Sequence, residues 1–409
     1  MDMTIPWTAS MVDFEDSMFD GILLRTEKLE ISSSIRSLFV VGEWIFSANP
    51  SMFEIGIFNI GRKINFTFYP PGDESISIHL SILTVNDGPG SSVSLLGGLF
   101  SLKLISPWYF DQLPLSKAYR GTTSDVIAQL IAEELSNSFN STSITQTYDD
   151  KKIRYRTLQK VSTFLEKRVV PYMKGQDNSA SFLFTNDKND FELLDYPSLM
   201  AYPEYIALDY TSTIKNNYHD ELLDKEKSKQ FFYPQSMIFN INNTEEADLW
   251  DLRNAALIYL NRPDLSIHDE QSTENALKPL MMNSTNKFSP IVPDIISTPL
   301  VSRFIINDNL EVYDDIYSKT INEVTKRLMK GHQIDLVGFP NLWLKVGRPM
   351  LLEIETVKES NVKSVFSQKV PIATISHVFK QSQCMTYITC EVPAFQYTDK
   401  NSVVPFFTA

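Results

Sequence analysis

Histidine and cysteine, which serve acid–base, nucleophilic and metal chemistry, are few in this sequence and are not grouped. The 409 residues include five histidines, and none lies at metal-ligand spacing from another histidine or a cysteine. The HExxH, GxSxG and P-loop patterns, which would predict a zinc peptidase, a serine hydrolase or a nucleotide site, do not occur. We therefore expect no catalytic residue, no metal site and no cofactor. The histidines are His79, His219, His268, His332 and His377.

The two cysteines, Cys384 and Cys390, lie six positions apart in a stretch with β character. On an extended strand they would face the same side about 20 Å apart, which is too far for a disulfide. We expect two reduced and mostly buried thiols. His377 lies in an apolar strand, where a structural histidine is expected rather than a base, and His79 is placed on a polar strand face.

Adjacent carboxylates are the remaining candidates for chemistry. A glycosidase needs two carboxylates at a defined separation in a cleft, and adjacent pairs occur at Glu133-Glu134, Asp149-Asp150 and Asp314-Asp315. With 50 acidic residues in the chain, such pairs arise by chance, and we expect them on solvated surfaces. The five tryptophans are scattered and form no sugar-binding ladder; we expect core or interface anchors.

Composition excludes several classes of protein. The formal net charge is −13, which argues against tight, sequence-independent binding to nucleic acid. No apolar run reaches about 18 residues, so no transmembrane helix is expected, and residues 1–16 lack the pattern of a signal peptide. We expect synthesis and folding in a reducing cytoplasm. Hydrophobic residues make up 43% of the chain and aromatic residues 12%, which favours a β-rich protein with real cores.

The first hundred residues predict strands. Polar and apolar residues alternate over 75–82, 53–57 and 64–68, the period of half-buried strands. Further strands are expected at 35–41 and 99–105, with a loop at 87–98. This spacing is typical of a small antiparallel barrel or sandwich.

The next segment predicts helices and a hairpin. Thr123 or Ser124 can cap a helix that buries Val126, Ile127, Leu130, Ile131 and Leu135. A second helix is expected over 157–169, with Leu158, Val161, Phe164 and Leu165 facing inward and Pro171 ending it. Residues 182–194 predict a hairpin.

The rest of the chain is irregular and then returns to strands. A helix is expected over 245–260 within a polar, proline-punctuated connector, and another over 314–329. Strands are expected at 333–338, 350–357, 370–380 and 385–392, the last two forming a hairpin. The chain therefore begins and ends with β modules of similar size.

Two stretches resemble a known family. Residues 119–127, YRGTTSDVI, resemble the segment of phage tail hub proteins in which an aromatic residue and Arg-Gly precede a helix. Residues 338–353, 373–379 and 387–390 are similar to the closing barrel of that family, with Val346-Gly347 where Pro-Gly is common. The order of modules also matches. The family is the baseplate hub proteins of contractile-tailed bacteriophages, of the late control protein D type and related to the hub part of VgrG-type spikes.

This resemblance implies an α+β, β-rich fold in which two small tube-type β-barrel domains are joined by an α+β middle region. The expected domains are a first barrel at 1–108, the middle domain at 109–200, a variable connector with a helix at 201–312, and a helix with the second barrel at 313–409. Trimer contacts are expected at strand edges and around Trp108, Tyr109, Leu342 and Trp343.

The resemblance also implies a function and partners. A homotrimeric ring would present six similar barrels and so adapt the hexameric tail tube protein to the three-fold central spike protein, surrounded by baseplate wedge proteins. DNA would be only a transient passenger in its channel, and an acidic lining would repel phosphate. The protein would be located in the virion tail baseplate. Two alternatives stay open: a tail-associated peptidoglycan hydrolase or glycan-binding component, and a β-rich adaptor unrelated to tails.

Overall fold

The fold was analysed in a computed structural model. It describes residues 8–14, 26–48, 58–69, 75–87, 98–141, 153–173, 175, 180–208, 229–241, 322, 326, 330, 332–353, 369–380 and 384–392. The strands are β1 (Thr8–Phe14), β2 (Thr26–Ser34), β3 (Val41–Ala48), β4 (Lys63–Tyr69), β5 (Ile76–Asp87), β6 (Gly98–Ile105), β7 (Leu115–Arg120), β8 (Phe139–Ser141), β9 (Ile153–Gln159), β10 (Ser181–Thr185), β11 (Phe191–Asp195), β12 (Tyr205–Leu208), β13 (Phe231–Phe232), β14 (Pro234–Ile241), β15 (His332–Gly338), β16 (Pro349–Glu353), β17 (Lys369–Lys380) and β18 (Cys384–Val392). The helices are α1 (Trp108–Asp111), α2 (Thr123–Leu130), α3 (Val161–Phe164) and α4 (Tyr196–Ala201).

Thirteen of the described strands form one sheet. One path runs β1-β4-β5-β6-β3-β2-β17-β16-β12-β13, and a branch runs from β17 through β18 and β15 to β14. We call β1–β6 the N-terminal module, β12–β18 the C-terminal module, and residues 108–201 the middle region. The middle region holds a three-stranded sheet, β10-β11-β8, and a two-stranded sheet, β7-β9. The predicted β-rich α+β class is confirmed.

A single ladder joins the two modules. Strand β2 pairs antiparallel with β17 from Ser34 opposite Thr374 to Lys28 opposite Lys380. The opposite edge of β17 pairs with β18, and its first residues pair with β16. The described strands therefore form one continuous sheet and do not close into two separate barrels.

The N-terminal module curls around an aromatic core. Inward side chains from β2 to β6 form one buried cluster, in which Trp44 and Phe46 stack with ring centroids 4.2 Å apart. Two residues from the distant end of the chain complete it: Leu342 and Phe379. The ring of Phe379 stacks on Phe68 at 4.7 Å.

The C-terminal module encloses a mostly aliphatic core. Its members come from β12 to β18 and from the loop after β15. Strands β13 and β14 are separated only by Tyr233, so one chain segment pairs with β12 at its start and with β15 along the rest. The buried members are Ala207, Phe232, Ile334, Leu336, Leu344, Met350, Leu352, Val370, Ile372, Ile375, Ile388 and Cys390.

The apolar face predicted for helix α2 is confirmed, but the helix is capped earlier in the chain than predicted. The capping residue is Thr122 rather than Thr123 or Ser124: the Asp125 amide donates to Thr122 Oγ1 at 3.0 Å, and the Thr122 amide donates to Asp125 Oδ2 at 3.3 Å. This reciprocal pair satisfies two amides that the helix itself leaves without acceptors. The predicted inward residues are all buried, and the helix continues as a π-helical turn, Ile131–Leu135.

Two predicted elements are wrong. Residues 35–40, predicted as part of a strand, form a turn, because the Ile35 amide donates to the Ala373 carbonyl and the side chain of Thr185 donates to the Leu38 carbonyl. The helix predicted over 157–169 begins only at Val161, since residues 157–159 belong to β9. Leu158, expected to face inward, is 74% exposed.

Several predictions are confirmed, and others lie outside the described residues. The strands at 64–68, 76–82 and 99–105, the hairpin β10–β11, and the strands β15, β17 and β18 are present. Of the helix predicted over 314–329, the structure describes only Asn322 and Lys326, both helical. The strand at 53–57, the loop at 88–97, the helix at 245–260 and most of the connector lie outside the description.

Candidate functional site

The joined sheet presents an outward face along six neighbouring strands of the two modules. Side chains alternate along a strand, so the residues between the buried core positions of β2, β3, β17, β18, β15 and β14 all point to this face. It combines hydroxyl, amide and charged side chains with a few exposed apolar or aromatic ones, among them Val41, Ile238 and Tyr387. We call this surface the polar face.

At the centre of the polar face, hydroxyl groups bond across the ladder between the two modules. The Ser32 and Ser376 hydroxyls contact each other, and Thr374 Oγ1 donates to Ser34 Oγ at 3.2 Å. Ser376 Oγ also lies 3.1 Å from Glu30 Oε1, to which it donates. Hydroxyl pairs of this kind stabilise cross-strand neighbours, and they reinforce the join between the modules.

The C-terminal half of the polar face centres on one carboxylate. Asp335 on β15 accepts from Asn240 Nδ2 at 2.8 Å, from Gln333 Nε2 at 2.9 Å and from Thr389 Oγ1 at 2.8 Å. These donors come from β14, β15 and β18. The network fixes the outward side chains of three adjacent strands in one arrangement.

Charges on the polar face have both signs. Lys28 Nζ lies 2.7 Å from Glu30 Oε2 and 3.1 Å from Glu43 Oε2, and hydrogen bonding to Glu30 raises the pKa of Lys28. Lys380 pairs opposite Lys28 and Lys103 pairs opposite Glu43 in the ladders. The centre of this face is therefore mixed in charge. The acidic channel lining expected for an assembled ring stays a prediction.

Two buried ion pairs hold the other elements against the sheet. Arg36, in the turn after β2, binds the carboxylate of Glu391 on β18 and donates to the Lys326 carbonyl at 2.9 Å. Burial lowers the pKa of the Lys326 ammonium to about 7. Arg348 contacts Glu192 of β11 at 3.0 Å and lies 3.7 Å over the ring of Tyr202. The second pair connects the C-terminal module to the middle region.

The middle region contains a buried polar cluster that the sequence did not reveal. The guanidinium of Arg156 is fully buried, and its Nη1 lies 2.7 and 2.8 Å from the Glu134 carboxylate oxygens. The Tyr119 hydroxyl donates to the same carboxylate, and burial raises the pKa of Tyr119. Glu134 was expected on a solvated face. The available signal was an arginine between apolar and aromatic residues of β9, which needs a buried counter-ion.

The four predicted interface residues lie in different environments. Trp108 is buried and stacks on Phe39 at 4.3 Å, and Leu342 is buried in the N-terminal core. Tyr109 and Trp343 are partly exposed. Lys160 Nζ lies 4.8 Å from the ring centroid of Tyr109, and Lys229 Nζ lies 4.7 Å from the ring centroid of Trp343. A contact with another chain at these places stays a prediction, and only Tyr109 and Trp343 expose much surface for it.

His377 and the two cysteines, considered above for chemistry, are buried or half-buried. His377 is buried, its Nδ1 lies 3.0 Å from Thr386 Oγ1, and burial lowers its pKa to about 3. Both cysteines are free, and burial raises the pKa of the Cys390 thiol. Within the described ranges, no three His, Cys, Asp or Glu residues are grouped to hold a metal ion. Nor does the described part of the chain include a helix of the length and apolarity needed to cross a membrane.

These features define a β-rich scaffold with a polar outward face. No protein-family model matches the sequence, and neither does any curated protein. Among solved structures, the E. coli c3393 protein aligns with a TM-score of 0.50 and 8% identity over 91% of this chain and 75% of its own. That protein is described as a component of the type VI secretion system with structural similarity to T4 bacteriophage tail proteins gp27 and gp5.

Two phage tail proteins also align along most of their length. The 43 kDa tail protein of prophage MuSo2 from Shewanella oneidensis has a TM-score of 0.49 and 9% identity, over 91% of this chain and 95% of its own. The tail protein from Neisseria meningitidis MC58 has a TM-score of 0.49 and 9% identity, and the alignment covers 91% of this chain and 93% of that protein. The expected resemblance to tail hub proteins is confirmed in the fold.

Proposed function

We propose that this protein is a structural baseplate hub of a contractile phage tail. Three copies would form a ring that adapts the six-fold tail tube protein to the three-fold central spike protein, with wedge proteins around it. DNA would pass through the channel without being held. The observation that carries this proposal is the β2–β17 ladder, because it merges two β modules into one sheet with one polar face.

The strand order supports the symmetry argument. The sheet contains the run β5-β6-β3-β2 from the N-terminal module and the run β17-β18-β15-β14 from the C-terminal module. Each module thus contributes four neighbouring strands, and three copies would contribute six such units to one ring. A three-fold ring built in this way can contact a six-fold tube through similar surfaces.

The ends of this eight-strand run offer a way to close the ring. Among the described residues, β14 pairs only with β15, and the edge of β5 opposite β6 has no partner strand from Thr84 to Asp87. Unpaired strand edges are templates for pairing with another chain. In the proposed ring, β14 of one copy lies beside β5 of the next, and the polar face lines the channel.

The proposal includes the division of the chain and the absence of catalysis. We assign residues 1–108 and 313–409 to the two tube-like domains, 109–200 to the middle domain and 201–312 to the connector. Strands β12–β14 fall within the connector range but pair with the second domain. The role is non-enzymatic and the location is the virion tail.

The test is the mass and shape of the purified protein, by native mass spectrometry and electron microscopy, alone and with the tube protein of the same tail. We expect three times the chain mass and a ring that caps tube segments. A stable monomer that does not bind the tube would contradict the hub and favour a generic adaptor. Clearing of peptidoglycan by the purified protein would favour the hydrolase.

A further inference from the structure

The two modules repeat one order of strands. In the N-terminal module, β2 to β6 lie side by side as β4-β5-β6-β3-β2, and in the C-terminal module β14 to β18 lie as β16-β17-β18-β15-β14. All these ladders are antiparallel. Two bulges also coincide: one at 82–84 and 372–374, on the fourth strand of each set, and one at 26–28 and 234–236, on the first. Because a bulge inserts one residue at a defined place in a ladder, the shared bulges align the two modules residue by residue.

The turn into the third strand of each set gives the same alignment. Gly61 and Gly347 both have a left-handed backbone, with φ of +85° and +74°, and each is followed by an arginine. The Gly61 amide donates to the Ile82 carbonyl at 2.8 Å, and the Gly347 amide donates to the Ile372 carbonyl at 3.0 Å. The amides of the same two isoleucines donate to the carbonyls of those arginines, at 3.0 and 2.9 Å. The turn, the bulges and the strand order therefore agree on one correspondence between the modules.

One ladder of the C-terminal module has no counterpart in the N-terminal module. Beyond its bulge, β17 pairs with β2, and Ser376 lies opposite Ser32. The alignment makes Asn86 the counterpart of Ser376. It makes Asn240 the counterpart of Ser32. Among the described residues, however, the corresponding edge of β5 has no partner strand over 84–87, and β14 pairs only with β15. Both edges that match the β2–β17 ladder are therefore open.

Inward side chains beside the two open edges are less buried than their counterparts. Ile31 of β2 and Ile375 of β17 are 3% and 1% exposed. Their counterparts, Phe239 of β14 and Val85 of β5, are only partly buried against the cores of their modules. Removing apolar surface from water is favourable, so a strand added at each edge would complete the burial that the β2–β17 ladder already provides at the join.

We propose that β14 of one copy pairs antiparallel with β5 of a second copy, in the register that β2 and β17 show within the chain. Asn240 of one copy then lies opposite Asn86 of the next, as Ser32 lies opposite Ser376. A second copy is the occupant because the chain already forms the equivalent ladder with its own strands. Each copy offers one edge of each kind, so a head-to-tail contact that closes into a ring leaves neither edge open. The inference rests on the proposed ring and specifies the register of its joins.

The test is a disulfide in the assembled full chain carrying Asn86→Cys and Asn240→Cys, followed by peptide mass spectrometry and gels without reductant. Directly opposite residues have Cβ atoms about 4.5–5.5 Å apart, close to what a disulfide needs, whereas diagonal neighbours are about 7–8 Å apart. We expect a disulfide that links one copy to the next. The shifted pair Asn86→Cys with Ile238→Cys should oxidise about tenfold more slowly or not at all. Faster oxidation of the shifted pair would overturn the register.

A pair within one chain supplies the matched control. Ser32→Cys with Ser376→Cys occupies the equivalent positions of the β2–β17 ladder, so it should oxidise at a similar rate without linking copies. If the control oxidises and a protein of three chain masses forms no 86–240 disulfide, or forms it within one chain, the register is wrong and the ring stands.

Hydrogen exchange gives a second measurement without substitutions. Residues 84–87 should be protected in the trimer, and fast exchange there would also overturn the pairing. A monomer in native mass spectrometry would overturn the ring itself, and with it this inference.

Discussion

The N-terminal core combines many aromatic side chains with aliphatic ones, whereas the C-terminal core is almost entirely aliphatic. The first core contains Trp44 and five buried phenylalanines of its own module, four of them in strands and Phe58 in a turn. The second core contains only one fully buried ring, that of Phe232. The outward sides of the two modules are nevertheless alike, both polar and joined across β2 and β17. Similarity between the modules is thus a property of their surface and strand order, and the cores are free to differ.

The N-terminal core includes side chains from the C-terminal part of the chain, and the described C-terminal core includes none from the N-terminal module. The N-terminal core contains Leu342 and Phe379 from the C-terminal part of the chain, whereas none of the side chains described in β2–β6 belongs to the C-terminal core. The described part of the C-terminal core therefore uses side chains of its own module only. The N-terminal core is complete only after the last strands have folded.

The largest expected effect follows from this asymmetry. Phe379→Ala should cost about 4 kcal/mol of unfolding free energy, because a large buried ring is lost and a cavity remains. Although Phe379 is on β17, hydrogen exchange should accelerate first in β4, where Phe68 loses its stacking partner. Ile388→Ala, in the other core, is the matched control and should accelerate exchange in β15 and β18. Acceleration in the same strands for both variants would contradict the one-directional dependence.

The second prediction concerns the contact between the C-terminal module and the middle region. Arg348→Met should cost about 3 kcal/mol, since it leaves the Glu192 carboxylate, 6% exposed, without its guanidinium. Arg348→Met combined with Glu192→Leu should recover part of the loss, because no unpaired charge remains. A double variant less stable than the single one, in chemical denaturation, would show that the pair acts by geometry rather than by charge.

The third prediction uses the buried histidine of the C-terminal module. The pKa of His377 is lowered to about 3 from its usual 6.5, so the unfolded chain binds one more proton than the folded chain between these values. Stability should therefore fall as pH falls, by about 2 kcal/mol from pH 7 to pH 5 through this group. His377→Gln should remove that part of the slope in denaturation curves measured across this range. An unchanged slope would mean that His377 is accessible to protons in the folded state.

Local pattern and long-range pairing account for what the sequence predicts and what it does not. The alternation over 75–82 and the helical spacing from Val126 to Leu135 depend on neighbouring residues, and both are confirmed. The turn at 35–40 resembles a strand in sequence, but its apolar residues are buried through bonds to Ala373 and Thr185. Those partners are more than a hundred positions away, and local spacing carries no information about them.

The same distinction between local pattern and long-range pairing applies to the candidate site. A polar outward face could be expected from any half-buried strand, and the sequence predicts it. The pairing of β2 with β17 could not be predicted, because the residues it joins are more than three hundred positions apart. The Arg156–Glu134 pair and the exposure of Leu158 also depend on how β9 meets β7, so Leu158 was placed inside a helix and Glu134 on the surface.

The smallest effect on the unfolding free energy is expected for substitutions on the polar face. These substitutions also test whether the polar outward sides of the two modules line a channel. Ser376→Ala should cost about 1 kcal/mol of unfolding free energy, because a half-buried hydroxyl loses its bonds to Ser32 and Glu30. Ser376→Lys should be similarly mild for folding. In the proposed ring it would place a cation in the channel of every copy, and short DNA duplexes should then bind in a salt-dependent way.

Lys188 supplies the control for that experiment. It lies in the turn between β10 and β11 of the middle region, so Lys188→Ser lowers the positive charge away from the polar face. DNA retention should rise with Ser376→Lys and should not change with Lys188→Ser, measured by electrophoretic mobility at low and high salt. If the Ser376→Lys protein forms the ring but binds no DNA, the polar face lies outside the channel. The similar outward sides of the two modules would then be surfaces for contacts with other proteins.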